Sequence, residues 1–184
     1  MKSVYIYLAD GFEEIEALSP ADVLRRAGVN VLLVSVKDEL TVTGARGVKV
    51  ICDALLADVD ITLPDMIILP GGYPGFENLA NSPKVMQSVE FMSKHERIIG
   101  AICGAPAAVL GKNGYLENRR AVCYPGMEDD LNCKRVHNGH VCADQNIITA
   151  KAASSALDFS FILLQNLCGV SKANEVKRAI VYDV

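Results

Sequence analysis

The stretch Ile98-Ile99-Gly100-Ala101-Ile102-Cys103-Gly104-Ala105-Pro106 decides how the chain is read. Its first five residues form an apolar run too continuous for a strand wet on one face. That places them in a sheet covered on both sides. A helix-prone stretch, Ala105 to Leu110, follows at once. Between the two lies Cys103, trailed by two small residues that let the backbone turn tightly and expose one side chain, the form of a nucleophile elbow. The partial positive charge at the start of the following helix favours a thiolate, so the thiol pKa is expected to move down.

Working outward, the same alternation recurs. Val4 to Leu8 is a strand pattern ending at Ala9-Asp10-Gly11, and Glu13 to Ala27 turns helical, with Ile15, Leu18, Val23 and Ala27 able to share a face. Val29 to Val36 is again continuously apolar, completing a βαβ signature. Leu40 to Thr43 and Val48 to Cys52 predict a small hairpin around Gly44 to Gly47. Met66 to Leu69 is a buried strand closed by Pro70-Gly71-Gly72, and Ser82-Pro83 caps a helix to about Lys94. After Gly114 the pattern weakens until a strand at Asn146 to Thr149, a helix from about Ser154 to Leu167 and a short one from Lys172 to Ala179. Strands alternating with helices predict an α/β three-layer fold with a mostly parallel sheet, over one domain spanning residues 1–184.

Composition bounds the partners. A net charge of −4 and no block of lysine and arginine argue against nucleic acid. No apolar run reaches the ~18 residues of a membrane span, and the N-terminus runs straight into a strand pattern, so a soluble cytoplasmic protein is expected. The six cysteines are scattered without a Cys-x-x-Cys pair, which suits reduced thiols; Cys52, Cys123 and Cys168 read as small buried hydrophobes. Cys133, His137, His140 and Cys142 make only a weak zinc pattern, and Asn138-Gly139 reads more naturally as a hairpin turn, so neither metal nor cofactor is expected.

Ligands in parallel sheets bind beyond the carboxyl ends of the strands. Three of those ends, Asp10-Gly11, Pro70-Gly71-Gly72 and Cys103-Gly104, are unlike the apolar bodies before them. Backbone N–H groups of Gly72 and Gly104 are candidate donors to an oxyanion or an oxidised sulfur. Of the carboxylates Glu13, Glu14 and Glu16, Glu16 is the choice for a partner to Cys103, with its pKa raised by desolvation and like charge so that it can donate a hydrogen bond.

Jointly, Leu8 to Glu16, Asp22 to Gly28, Leu69-Pro70-Gly71-Gly72 and Ala101 to Pro106 resemble the ThiJ/PfpI superfamily, in its DJ-one branch named for a parkinsonism-associated protein. The resemblance covers essentially the whole chain. It implies a flavodoxin-like fold, related to class I glutamine amidotransferases, and a homodimer. It also implies Cys103 as an oxidation-prone nucleophile paired with Glu16, Gly72 and Gly104 as backbone donors, and Arg26 and Arg46 near the pocket and dimer interface. The activities it implies are cofactor-free conversion of methylglyoxal or glyoxal to hydroxy acids, repair of glycated proteins, and redox-regulated chaperone or stress roles. Tyr124-Pro125 stands where several relatives have histidine before proline, and Ala152-Ala153-Ser154 replaces a Gly-Pro-Gly stretch at the pocket rim. Peptidase or amidotransferase chemistry needs a histidine beside the sulfur, and His95, His137 and His140 match no such position.

Overall fold

The computed structural model describes residues 1–182. In chain order the strands are β1 (Ser3–Leu8), β2 (Asn30–Ser35), β3 (Thr41–Thr43), β4 (Lys49–Ile51), β5 (Ala54–Leu55), β6 (Met66–Leu69), β7 (Ile98–Ile102), β8 (Arg120–Ala121), β9 (Arg135–Val136), β10 (Val141–Asp144) and β11 (Ile147–Ala150). The α-helices are α1 (Glu14–Arg26), α2 (Gly75–Ala80), α3 (Pro83–Lys94), α4 (Ala156–Cys168) and α5 (Val170–Ala179). Seven strands make one sheet in the order β10-β11-β7-β6-β1-β2-β5, parallel throughout except for β10, which returns antiparallel to β11 at the edge. β3 and β4 form the expected hairpin.

Alternate residues of each strand feed opposite faces, the period-two geometry of extended chain. Val4, Ile6 and Leu8 of β1 join Met66 and Ile68 in a core with α1, α4 and α5. Tyr5 and Tyr7 join Ile67 and Leu69 in a second core with α3 and the segment after β7. Both faces of the sheet are therefore sealed, which is why β6 reads as a run of four apolar residues with no polar alternation. The result is a flavodoxin-like three-layer α/β sandwich. Tyr7 places its hydroxyl in the core and satisfies it against Ser88 of α3 at 2.7 Å. Ser82 caps α3 as the sequence suggested, accepting from the Val85 N–H at 3.4 Å.

Four expectations change. The buried face of α1 is Glu14, Glu16, Ala17, Pro20, Ala21, Val23 and Leu24, while Ile15 is 54% exposed. Val23 is buried as expected and Leu18 and Ala27 pack partly buried against the core, but Ile15 is displaced from the buried face, which is rotated toward the two glutamates. Asn138-Gly139 closes no hairpin: β9 pairs in parallel with β8, and β10 turns back into β11 through Gln145, at φ +55°. The helix expected from Ala105 is a five-residue π-helical turn, Pro106–Leu110, buried along its length. Gly75–Ala80 forms a helix that the Pro-Gly composition had hidden.

Candidate active site

The sheet order sets β7, β6 and β1 side by side, so their carboxyl ends meet. The β6–β7 register pairs Leu69 with Ala101; two residues further on, it brings Gly71 opposite Cys103. Cys103 itself sits at φ +66°, in the left-handed region that non-glycine residues rarely adopt. It is held there from both sides. Its N–H donates to Ala150 O at 2.9 Å, and its carbonyl accepts from the Tyr124 N–H at 2.8 Å. The strained turn that the sequence suggested at this position is present.

Glu16 reaches the same point from the first turn of α1 and has no exposed surface. Its Oε2 accepts from the Gly71 N–H at 2.8 Å, and its Oε1 is buried without an aligned partner. Gly71 is a glycine because nothing else fits: a Cβ there would fall 2.5 Å from Cys103 Cβ and 2.6 Å from Glu16 Oε2. Sequence reasoning had picked Gly72 and missed Gly71, although the paired glycines beyond a buried strand were the available signal. Gly72, at φ +88°, and Gly104 line the same cleft as the sulfur, and their N–H groups act to lower the thiol pKa.

Burial raises the Glu16 pKa to about 7, chiefly by desolvation, against the Gly71 N–H and the Cys103 thiol. The Cys103 thiol moves in the direction opposite to the one expected. Burial first, then the Glu16 carboxylate, push it up to about 12, against the lowering effect of the Gly72 and Gly104 N–H groups. The expected helix dipole is weak here, because five π-helical residues align few peptides behind the sulfur. Near neutral pH Glu16 is thus poised between its two forms, while burial and the Glu16 carboxylate hold Cys103 as a thiol.

Above the sulfur opens a cleft of about 890 Å³, walled by Arg46, Tyr73, Phe76, Tyr124, Met127 and the Ala152–Ser154 rim, among others. No histidine lies in its wall among the described residues. A model of the DJ-1/PfpI family matches residues 2–166. The chain belongs to the DJ-1/PfpI family. It is 38% identical over 181 residues to Protein DJ-1 homolog B of Arabidopsis thaliana, covering 98% of this chain and 41% of that protein. The chain thus spans less than half of that relative's length. It is 32% identical over 186 residues to a Caenorhabditis elegans protein named glutathione-independent glyoxalase DJR-1.2, covering 97% of this chain and 96% of that one. Among solved structures, oxidized Toxoplasma gondii DJ-1 superposes with a TM-score of 0.96 at 34% identity, covering both chains fully.

In this DJ-1/PfpI family chain, Cys103, Glu16, Gly72, Gly104, Arg46 and Tyr124 converge on one cleft. Arg26 does not. It lies at the far end of α1, exposed, with its Nε 2.7 Å from Asp22. Asp10, at the end of the neighbouring strand, serves structure: it accepts from the Thr43 N–H at 2.9 Å and pairs with Lys37 at 2.9 Å. Cys133, His137, His140 and Cys142 form no group of three ligands suited to a metal among the described residues. The aromatic walls Tyr73 and Phe76 had no sequence signal beyond lying just after the glycine pair.

Proposed function

We propose that the protein is a cofactor-free enzyme acting on small 2-oxoaldehydes such as methylglyoxal and glyoxal, or on their adducts with proteins. The observation that supports this is a proton-competent, fully buried glutamate against a cysteine sulfur, in a cleft whose wall holds no histidine among the described residues. Glu16 takes the thiol proton, and the sulfur adds to the aldehyde carbon to give a hemithioacetal whose oxygen recovers that proton. Glu16 then removes the proton from that carbon and delivers it to the neighbouring one through an enediol. The product is a thioester of the hydroxy acid. Water hydrolyses it and restores the thiol, so the sum is aldehyde plus one water with no external oxidant. In this mechanism the Gly72 and Gly104 N–H groups, which already act to lower the thiol pKa, donate to the charge that develops. The worm relative named a glyoxalase is consistent with this chemistry.

The test is turnover of methylglyoxal by Cys103→Ser and Glu16→Gln. Loss in both supports the mechanism, and wild-type rates in either would sink it. A second reading, a redox sensor, draws on the same two N–H groups, which suit an oxidised sulfur, and on the structural similarity to oxidized Toxoplasma gondii DJ-1. Cytoplasmic stress defence and a homodimer belong to the same proposal. Ile15 of α1 and Val48 and Ile51 of the hairpin are exposed apolar residues on elements joined through Glu14, and sedimentation of the pure protein tests their role.

A further inference from the structure

The cleft is larger than the aldehyde just discussed. Its volume of about 890 Å³ belongs with sites that enclose drug-sized ligands, and a three-carbon dicarbonyl fills a small part of it. The spare space is bounded by aromatic and apolar side chains. Phe76 lies against Gly104, so closely that a Cβ there would fall 2.6 Å from the ring. Tyr73 tilts against Phe76 with ring centroids 6.1 Å apart at 58°. Tyr124 belongs to the segment whose N–H holds the Cys103 carbonyl. Tyr73 and Tyr124 remain 69% and 49% exposed, although a buried neighbour would remove that apolar surface from water. Charge in the wall is sparse. Arg46 is its one cation among the described residues, and its guanidinium is already 4.0 Å from the Glu13 carboxylate, which disfavours a phosphate-bearing substrate.

We propose that this site prefers aryl-substituted over methyl-substituted 2-oxoaldehydes, with Tyr124 and Tyr73 as the specificity-determining contacts to the aryl ring. The inference rests on the aldehyde chemistry proposed for Cys103. An aryl 2-oxoaldehyde plus water gives an aryl 2-hydroxy acid by the same balanced steps.

The experiment compares kcat/KM for phenylglyoxal and methylglyoxal, so that intrinsic reactivity cancels between variants. The ratio is expected to fall by about fivefold in Tyr124→Ala and in Tyr73→Ala, the scale of one aromatic contact. Tyr124→Phe should keep it, because the ring face and not the hydroxyl makes the contact. A ratio unmoved by both alanine variants overturns the proposal. A second readout is independent of turnover: binding of mandelate against lactate to Cys103→Ser, followed by NMR titration. Mandelate should bind about tenfold more tightly and lose that margin in Tyr124→Ala. Absence of Cys103-dependent turnover with either aldehyde would refute the chemistry alone. The mandelate titration then still decides the recognition, with equal binding of the two acids overturning it.

Discussion

Glu14 and Glu16 stand two residues apart on one helix, both buried, each with one carboxyl oxygen lacking an aligned partner and each pressed against a glycine. Their surroundings give them different work. Glu14 Oε1 accepts from the N–H groups of Arg46 at 2.8 Å and Val48 at 3.4 Å, and its carboxyl occupies the space a side chain on Gly44 would need. It fastens the β3–β4 hairpin to α1. Glu16 meets one backbone N–H and a sulfur, so its proton has somewhere to go. Two identical side chains on one helical turn are thus divided by what the sheet and the hairpin bring to them.

The comparison breaks most decisively at Glu16→Gln, which should lower methylglyoxal turnover by about 10²–10⁴-fold, the usual range for a lost general base, with the fold intact by circular dichroism. Gly71→Ala is next. Its Cβ cannot be housed without moving Cys103 or Glu16, and a displacement of this kind should cost about 10²-fold in kcat/KM. Glu14→Ala should leave turnover per folded molecule within a few-fold of wild type. It should cost about 2 kcal/mol of stability by leaving two N–H groups unpaired, read as a lower midpoint in urea.

Stability against pH sharpens the contrast further. The folded-state pKa of Glu16 is raised to about 7, so the folded protein holds a proton that the unfolded chain releases above the ordinary carboxylate range. Its contribution is fully present below about pH 4.5 and is lost as pH rises through about 7. Urea midpoints measured across that window should decline in wild type, and Glu16→Gln should flatten that decline. The smallest effect is expected at Arg26→Ala, since that exposed ion pair is remote from both glutamates; turnover and thermal midpoint should not change.

What was legible in the sequence follows from range. The strands β1, β2, β6, β7 and β11, the β3–β4 hairpin, the elbow at Cys103 and the Ser82 cap are written in local patterns of a few residues, and local backbone preferences are enough to read them. The first turn of α1 could not be read that way. Gly71 and Cys103, far along the chain, surround Glu16, and a helix periodicity that treats glutamate as a surface residue puts Ile15 on the buried face in its place. The same reason explains the thiol. A dipole argument needs a helix of some length after Cys103, and the chain supplies a short π-helical turn inside the core. β10 escaped because Val141–Asp144 is a four-residue edge strand whose partner, β11, dictates its existence.

The two hydrogen bonds on the Cys103 backbone, to Ala150 on one side and from Tyr124 on the other, make the sulfur a fixed post moored to the sheet. The cleft walls at Tyr73, Tyr124 and Met127 belong to connecting segments, outside the strands that set its position. Reshaping those walls by substitution can therefore retune what the protein selects while the reacting atom stays where it is, which makes the rim, and not the catalytic pair, the natural place to engineer a new preference.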